Sequence, residues 1–78
     1  MASVTIYCVQ PYWTDGRKLA HGSLRQFKRR SDAIRAGETA ARRNAGAIVY
    51  VVEGDPEFES WSRPRLLAAH GQVPEVAF

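Results

Sequence analysis

The chain has 78 residues, with 11 Lys and Arg against 8 Asp and Glu for a formal charge of +3, and Cys8 is its one cysteine. That length is one small domain, which buries only about 60% of its unfolded surface, and a single thiol excludes an internal disulfide. The longest apolar run, residues 45–52 broken by Gly46, is too short to span a bilayer.

Residues 3–10, Ser-Val-Thr-Ile-Tyr-Cys-Val-Gln, are rich in β-branched and aromatic side chains and are expected to form a strand. Val4, Ile6 and Cys8 share one face, and Thr5, Tyr7 and Val9 the other. Pro11 is expected to end the pairing or to sit on an edge. Asp15-Gly16 signals a turn, and a second strand is expected to return between Lys18 and Phe27.

Residues 31–44 are expected to form the main helix. Ser31 is its expected N-cap, and Asp32 complements the dipole. At 100° per residue, Ala33, Gly37, Ala40, Ala41 and Asn44 form a stripe of small side chains, with Ile34 at its edge. Gly37 costs about 1 kcal/mol relative to alanine in a helix interior, so its place here implies close approach to a sheet. Glu38 and Arg42 are spaced for a helical ion pair. Asn44-Ala45-Gly46 is expected to end the helix through residues that tolerate left-handed geometry.

Residues 47–53, Ala-Ile-Val-Tyr-Val-Val-Glu, are apolar on both faces and are therefore expected to be a central strand. One helix covers one face, so the other needs cover. After a turn at Gly54-Asp55-Pro56, residues 57–61 are expected to form an edge strand guarded by Glu57 and Glu59. Residues 64–70 fit a short helical turn closed by Gly71. The domain is expected to span residues 1–72, with 73–78 a flexible tail.

Nine of the eleven basic residues lie in residues 17–43, where only Asp32 and Glu38 oppose them, a local charge of +7. From Asn44 onward the net charge is −3. Arg25, Lys28, Arg29, Arg30 and Arg43 are the candidate partner-binding residues, for an acidic protein. With Tyr12 and Trp13 as stacking residues, the same cluster could instead take a single-stranded nucleic acid. The bland reading makes Trp13 and Phe27 core or rim residues and the charges a solvated surface.

Tyr50, Trp61, Leu66 and Leu67 are candidates for self-association, because symmetric pairing is a common way for a small domain to complete its core. The competing reading folds residues 61–67 back over the uncovered sheet face within one monomer. His21, His70, Asp55, Glu57 and Glu59 are the groups with acid/base chemistry, but no catalytic constellation joins them. Two isolated histidines and one distant cysteine make no metal site, and no cofactor motif is present. Cys8 reads as an inert buried thiol. An N-terminus without a basic n-region or apolar h-region agrees with a reducing, cytoplasmic setting.

The helix start Ser31-Asp32-Ala33-Ile34-Arg35-Ala36-Gly37, followed by the strand Ile48-Val49-Tyr50-Val51-Val52, resembles short bacterial strand–helix–strand domains of unknown function. The resemblance covers residues 4–55 and implies a bacterial origin and an α+β sheet, with no assigned activity. The expected architecture is α+β, a three- or four-stranded mainly antiparallel sheet in the order β-β-α-β-β. One main helix lies on one face, and a short helical turn follows. The expected function is a non-enzymatic, homodimeric binding module that involves no membrane and no metal.

Overall fold

A computed structural model describes residues 3–74 of the chain. Six strands and one helix follow in the order β1 (Val4–Asp15), β2 (Lys18–His21), β3 (Arg25–Phe27), α1 (Arg30–Arg43), β4 (Gly46–Asp55), β5 (Ser60–Trp61) and β6 (Arg65–Gly71). All pairings are antiparallel. β1 and β4 lie at the centre, joined by nine residue pairs from Val4↔Gly54 to Tyr12↔Gly46. β2 and β3 flank β1 in succession, and β5 and β6 flank β4. The sheet is thus four strand positions wide, and the α+β class is as expected. The strand count and the order β-β-β-α-β-β-β are not.

β1 is longer than its sequence suggests because it runs straight through Pro11, which pairs with Ala47 of β4. The N–H and C=O of one strand residue point to the same side. The Pro11 carbonyl accepts a hydrogen bond from the Gly22 amide at 2.9 Å, so the N–H that proline lacks would face Gly22 too. The Gly22 carbonyl is satisfied instead by the Gln10 side-chain amide at 2.5 Å. A side chain thus replaces the missing backbone donor, at the gap that separates β2 from β3. Beyond it, Asp15 pairs with Lys18 across a two-residue loop. Gly16 takes φ +64 there, the positive φ that favours glycine in such a hairpin.

The small-residue stripe of α1 rests on the centre of the sheet. Ala33, Val9 and Val49 are fully buried together, with Tyr7, Phe27, Ile34, Ala36, Ala40, Leu67 and Ala68 packed round them. Gly37 is buried as well. A Cβ there would run into Cγ2 of Val49, so the contact requires glycine. The helix starts at Arg30 rather than Ser31, with Arg29 as an extended N-cap that makes no side-chain capping bond. At its other end Asn44 is extended, not left-handed, at φ −129. Its side-chain amide donates to the Ala40 carbonyl at 2.9 Å. Arg42 donates to the Thr39 hydroxyl at 3.4 Å in place of the expected pair with Glu38.

Three expectations fail after β4. The turn occupies residues 56–59, opened by the Asp55 carboxylate accepting from the Glu57 amide at 3.0 Å, so Glu57 and Glu59 belong to the turn and not to an edge strand. β5 is only Ser60–Trp61. Residues 64–70 form no helical turn, because residues 65–71 pair with β4 as β6. The register shifts between Val49 and Tyr50, where Val49 meets Ala68 and Tyr50 meets Leu66. Leu67 is the extra residue of this bulge. Of the expected tail, Val73 and Pro74 are half-buried, and residues 75–78 lie outside the described residues. No helix among the described residues is long and apolar enough to cross a membrane.

Gly37→Ala tests the close contact. Alanine favours a helix by about 1 kcal/mol, but overpacking a filled site costs about 1–3 kcal/mol. A net loss of about 1 kcal/mol is expected, lowering Tm by about 4–8 °C for a domain of this size. Thermal unfolding followed by circular dichroism measures it.

Candidate functional site

Register assigns every strand side chain to one of two faces. Val9↔Val49 and Tyr7↔Val51 lie under α1, and with them Phe27, Ala68 and Arg65. The opposite, open face takes Ile6↔Val52, Cys8↔Tyr50, Gln10↔Ile48 and Tyr12↔Gly46. Ala69 and Leu66 join it across β4, and so do His21 and Leu19 across β1. Trp61 pairs with Gly54 and lays its ring where a Gly54 Cβ would stand. The charged strand residues Asp15, Lys18, Arg25, Glu53, Asp55 and Arg65 all fall on the helix side. The open face therefore carries no Asp, Glu, Lys or Arg among the described strand residues.

Charge gathers on the helix side instead. Arg25, Lys28, Arg29 and Arg30 are exposed around the start of α1. The Arg25 guanidinium sits 5.1 Å from the centre of the Phe27 ring, a cation–π geometry. Arg35, left out of the sequence-based set, completes the surface. It lines both a shallow cleft of about 310 Å³ with Arg25, Phe27, Asp32 and Thr39 and another of about 540 Å³ with Arg30, Ser31, Ile34 and Glu38. Arg43 does not belong with them. It lies thirteen residues beyond Arg30 in α1, about 20 Å along the axis. None of these basic side chains has a carboxylate partner within salt-bridge distance among the described residues.

Tyr12 and Trp13 are neighbours on β1 and so point to opposite faces. The Trp13 ring lies where a Gly22 Cβ would stand, as does the Pro11 ring. Tyr12 lies on the open face, opposite Gly46. They form no common stacking platform. The self-association set divides in the same way: Tyr50, Trp61 and Leu66 share the open face, whereas Leu67 packs into the helix-side core. Ile6 and Val52 belong to the open face too, as the alternation of Val4, Ile6 and Cys8 foreshadows.

His21 is exposed on the open face and His70 is half-buried on the helix side, so the two histidines share no site. Nε2 of His70 is buried without a hydrogen-bond partner. Among the described residues no group of three His, Cys, Asp or Glu side chains could hold a metal ion. Cys8 is buried at 3% exposure. Burial pushes its thiol up from the ordinary 9.0, and a hydrogen bond with Tyr50 offsets part of the rise. The Tyr50 hydroxyl is raised from 10.0, first by burial and then by Cys8 and Tyr12.

Comparison of the chain with protein-family models, with curated proteins and with solved structures found no match.

The raised Cys8 and Tyr50 groups set a pH dependence. Each holds its proton to a higher pH in the folded chain than in the unfolded one. Stability is therefore full below the ordinary values of 9.0 and 10.0 and is lost as pH rises through the folded values. Urea unfolding should give a constant free energy near neutrality and a decline in the alkaline range. Cys8→Ala should make that decline shallower.

Proposed function

We propose that this chain is a non-enzymatic binding module of the cytoplasm that works as a homodimer and meets an acidic protein partner through the basic surface at the start of α1. The carrying observation is electrostatic. Lys28, Arg29 and Arg30 crowd the end of α1 where the helix dipole is already positive, and Arg29 stands at the N-cap without a capping bond. A serine or aspartate at that position would stabilise the helix by about 1 kcal/mol. Arginine there works against the fold and favours an incoming anion. Breaks in local rules of this kind cluster at functional positions. Arg25 and Arg35 extend the surface along two shallow clefts, a shape suited to an extended macromolecular partner.

The alternative, a single-stranded nucleic acid on the same residues, loses its stacking pair because Tyr12 and Trp13 face opposite ways. Homodimerisation is supported by the open sheet face, and the cytoplasmic setting by the single buried thiol.

Fluorescence anisotropy with labelled poly-L-glutamate and with a random single-stranded DNA of equal charge tests the reading. Poly-L-glutamate should bind at low salt and weaken as salt rises. Alanine at Lys28, Arg29 and Arg30 together should weaken it by roughly tenfold or more, at about 0.5–1 kcal/mol per lost contact. Arg43→Ala should change it little. Tighter binding of the DNA, with a steep salt slope, would favour the alternative. No binding of either would end the basic-surface reading.

A further inference from the structure

We propose that the open face of the sheet is the self-association surface, and that its occupant is a second copy of this chain, seated face to face about a two-fold axis. The inference rests on the homodimer reading above and specifies where the two copies meet.

An antiparallel sheet with one face in water alternates apolar and polar side chains. β1 and β4 do not. Around Gln10, their open side holds Ile6, Tyr12, Tyr50 and Val52, each half-buried, together with Cys8 and Ile48, each only 3% exposed, and the charges of the same strands are all on the helix side. β6 widens this surface instead of covering it. Leu66 remains 41% exposed and Trp61 43% exposed.

The absence of charge is what selects a second copy. In a two-fold interface a patch meets itself, and a charged side chain near the axis faces its own like. A chain of net charge +3 pairs with itself at least electrostatic cost through a surface that excludes those charges. This face excludes them, while the basic surface of α1 lies on the other side of the sheet and would point outward in both copies. The extent is sufficient as well. Nine paired residues by four strand positions cover roughly 500 Å² in projection. Two such faces together reach the ~1,000 Å² that a specific interface needs.

Light scattering of the full chain across micromolar concentrations should give twice the 8.7 kDa chain mass. Val52→Glu and Tyr50→Glu each bring like charges together on this face. They should weaken dimerisation more than about a hundredfold and leave a folded monomer by circular dichroism. Phe58→Glu, in the exposed turn, should leave the dimer intact. Tryptophan emission gives a readout that needs no introduced charge. In Trp13→Phe, the remaining Trp61 should shift to the blue as concentration rises, whereas in Trp61→Phe the remaining Trp13 should not. A dimer that survives both glutamate variants, with no shift at Trp61, would overturn this placement and leave the homodimer reading standing. A monomer at every concentration would overturn both. A monomer whose Trp61 shifts only with phosphatidylcholine vesicles would make a lipid surface the occupant instead.

Discussion

The pairing of β1 with β4 decides everything else in this molecule. Because side chains alternate from face to face, a slip of one residue in that ladder would exchange the two faces completely. The register Val9↔Val49 puts two β-branched residues under the small-residue stripe of α1. There Ala33 and Gly37 let the helix lie close, and Val9 and Val49 become the largest fully buried side chains. The same register sends Ile6, Cys8, Tyr50 and Val52 to the side that α1 cannot reach. The core and the open face are two consequences of one alignment.

Much of this was legible in the sequence, and the parts that were not share a cause. The stripe of α1, the Asp15-Gly16 turn and the two-sided apolar strand β4 depend on local periodicity, which a sequence displays directly. Pro11 reads as a stop because its substitute donor, Gln10, acts on Gly22, twelve residues away. Pro64, Leu66, Leu67 and Gly71 read as a short helical turn because the bulge at Leu67 removes the period-two signal of β6. Gly71 at φ +66 mimics a helix stop. Ser31 has the chemistry of a cap, but the extended N-cap position falls to Arg29, and Ser31 lies inside the first turn.

The candidate sites were legible as composition and not as geometry. Clustering identifies Arg25, Lys28, Arg29 and Arg30, but cannot show that Arg43 lies at the far end of α1 or that Arg35 lines both clefts. Likewise Leu66 and Leu67 are adjacent letters on opposite faces, and so are Tyr12 and Trp13. The segregation of charged strand residues to the helix side becomes visible only once the pairing of β1, β4 and β6 is known. In the proposed dimer that segregation gives the two sides separate roles. The neutral face receives the second copy, and the basic helix side receives the partner.

If two copies meet as proposed, the face bearing Ile6, Val52 and Leu66 is open in a single copy and covered in the dimer. Attenuation of methyl NMR signals by a soluble paramagnetic probe reports this directly. In dilute protein the methyls of Ile6, Val52 and Leu66 should be attenuated and those of Val9 and Val49 spared. At concentrations where the dimer forms, the first group should become protected while the second stays unchanged. Equal attenuation of Ile6, Val52 and Leu66 in the monomer and in a proven dimer would contradict the face-to-face arrangement.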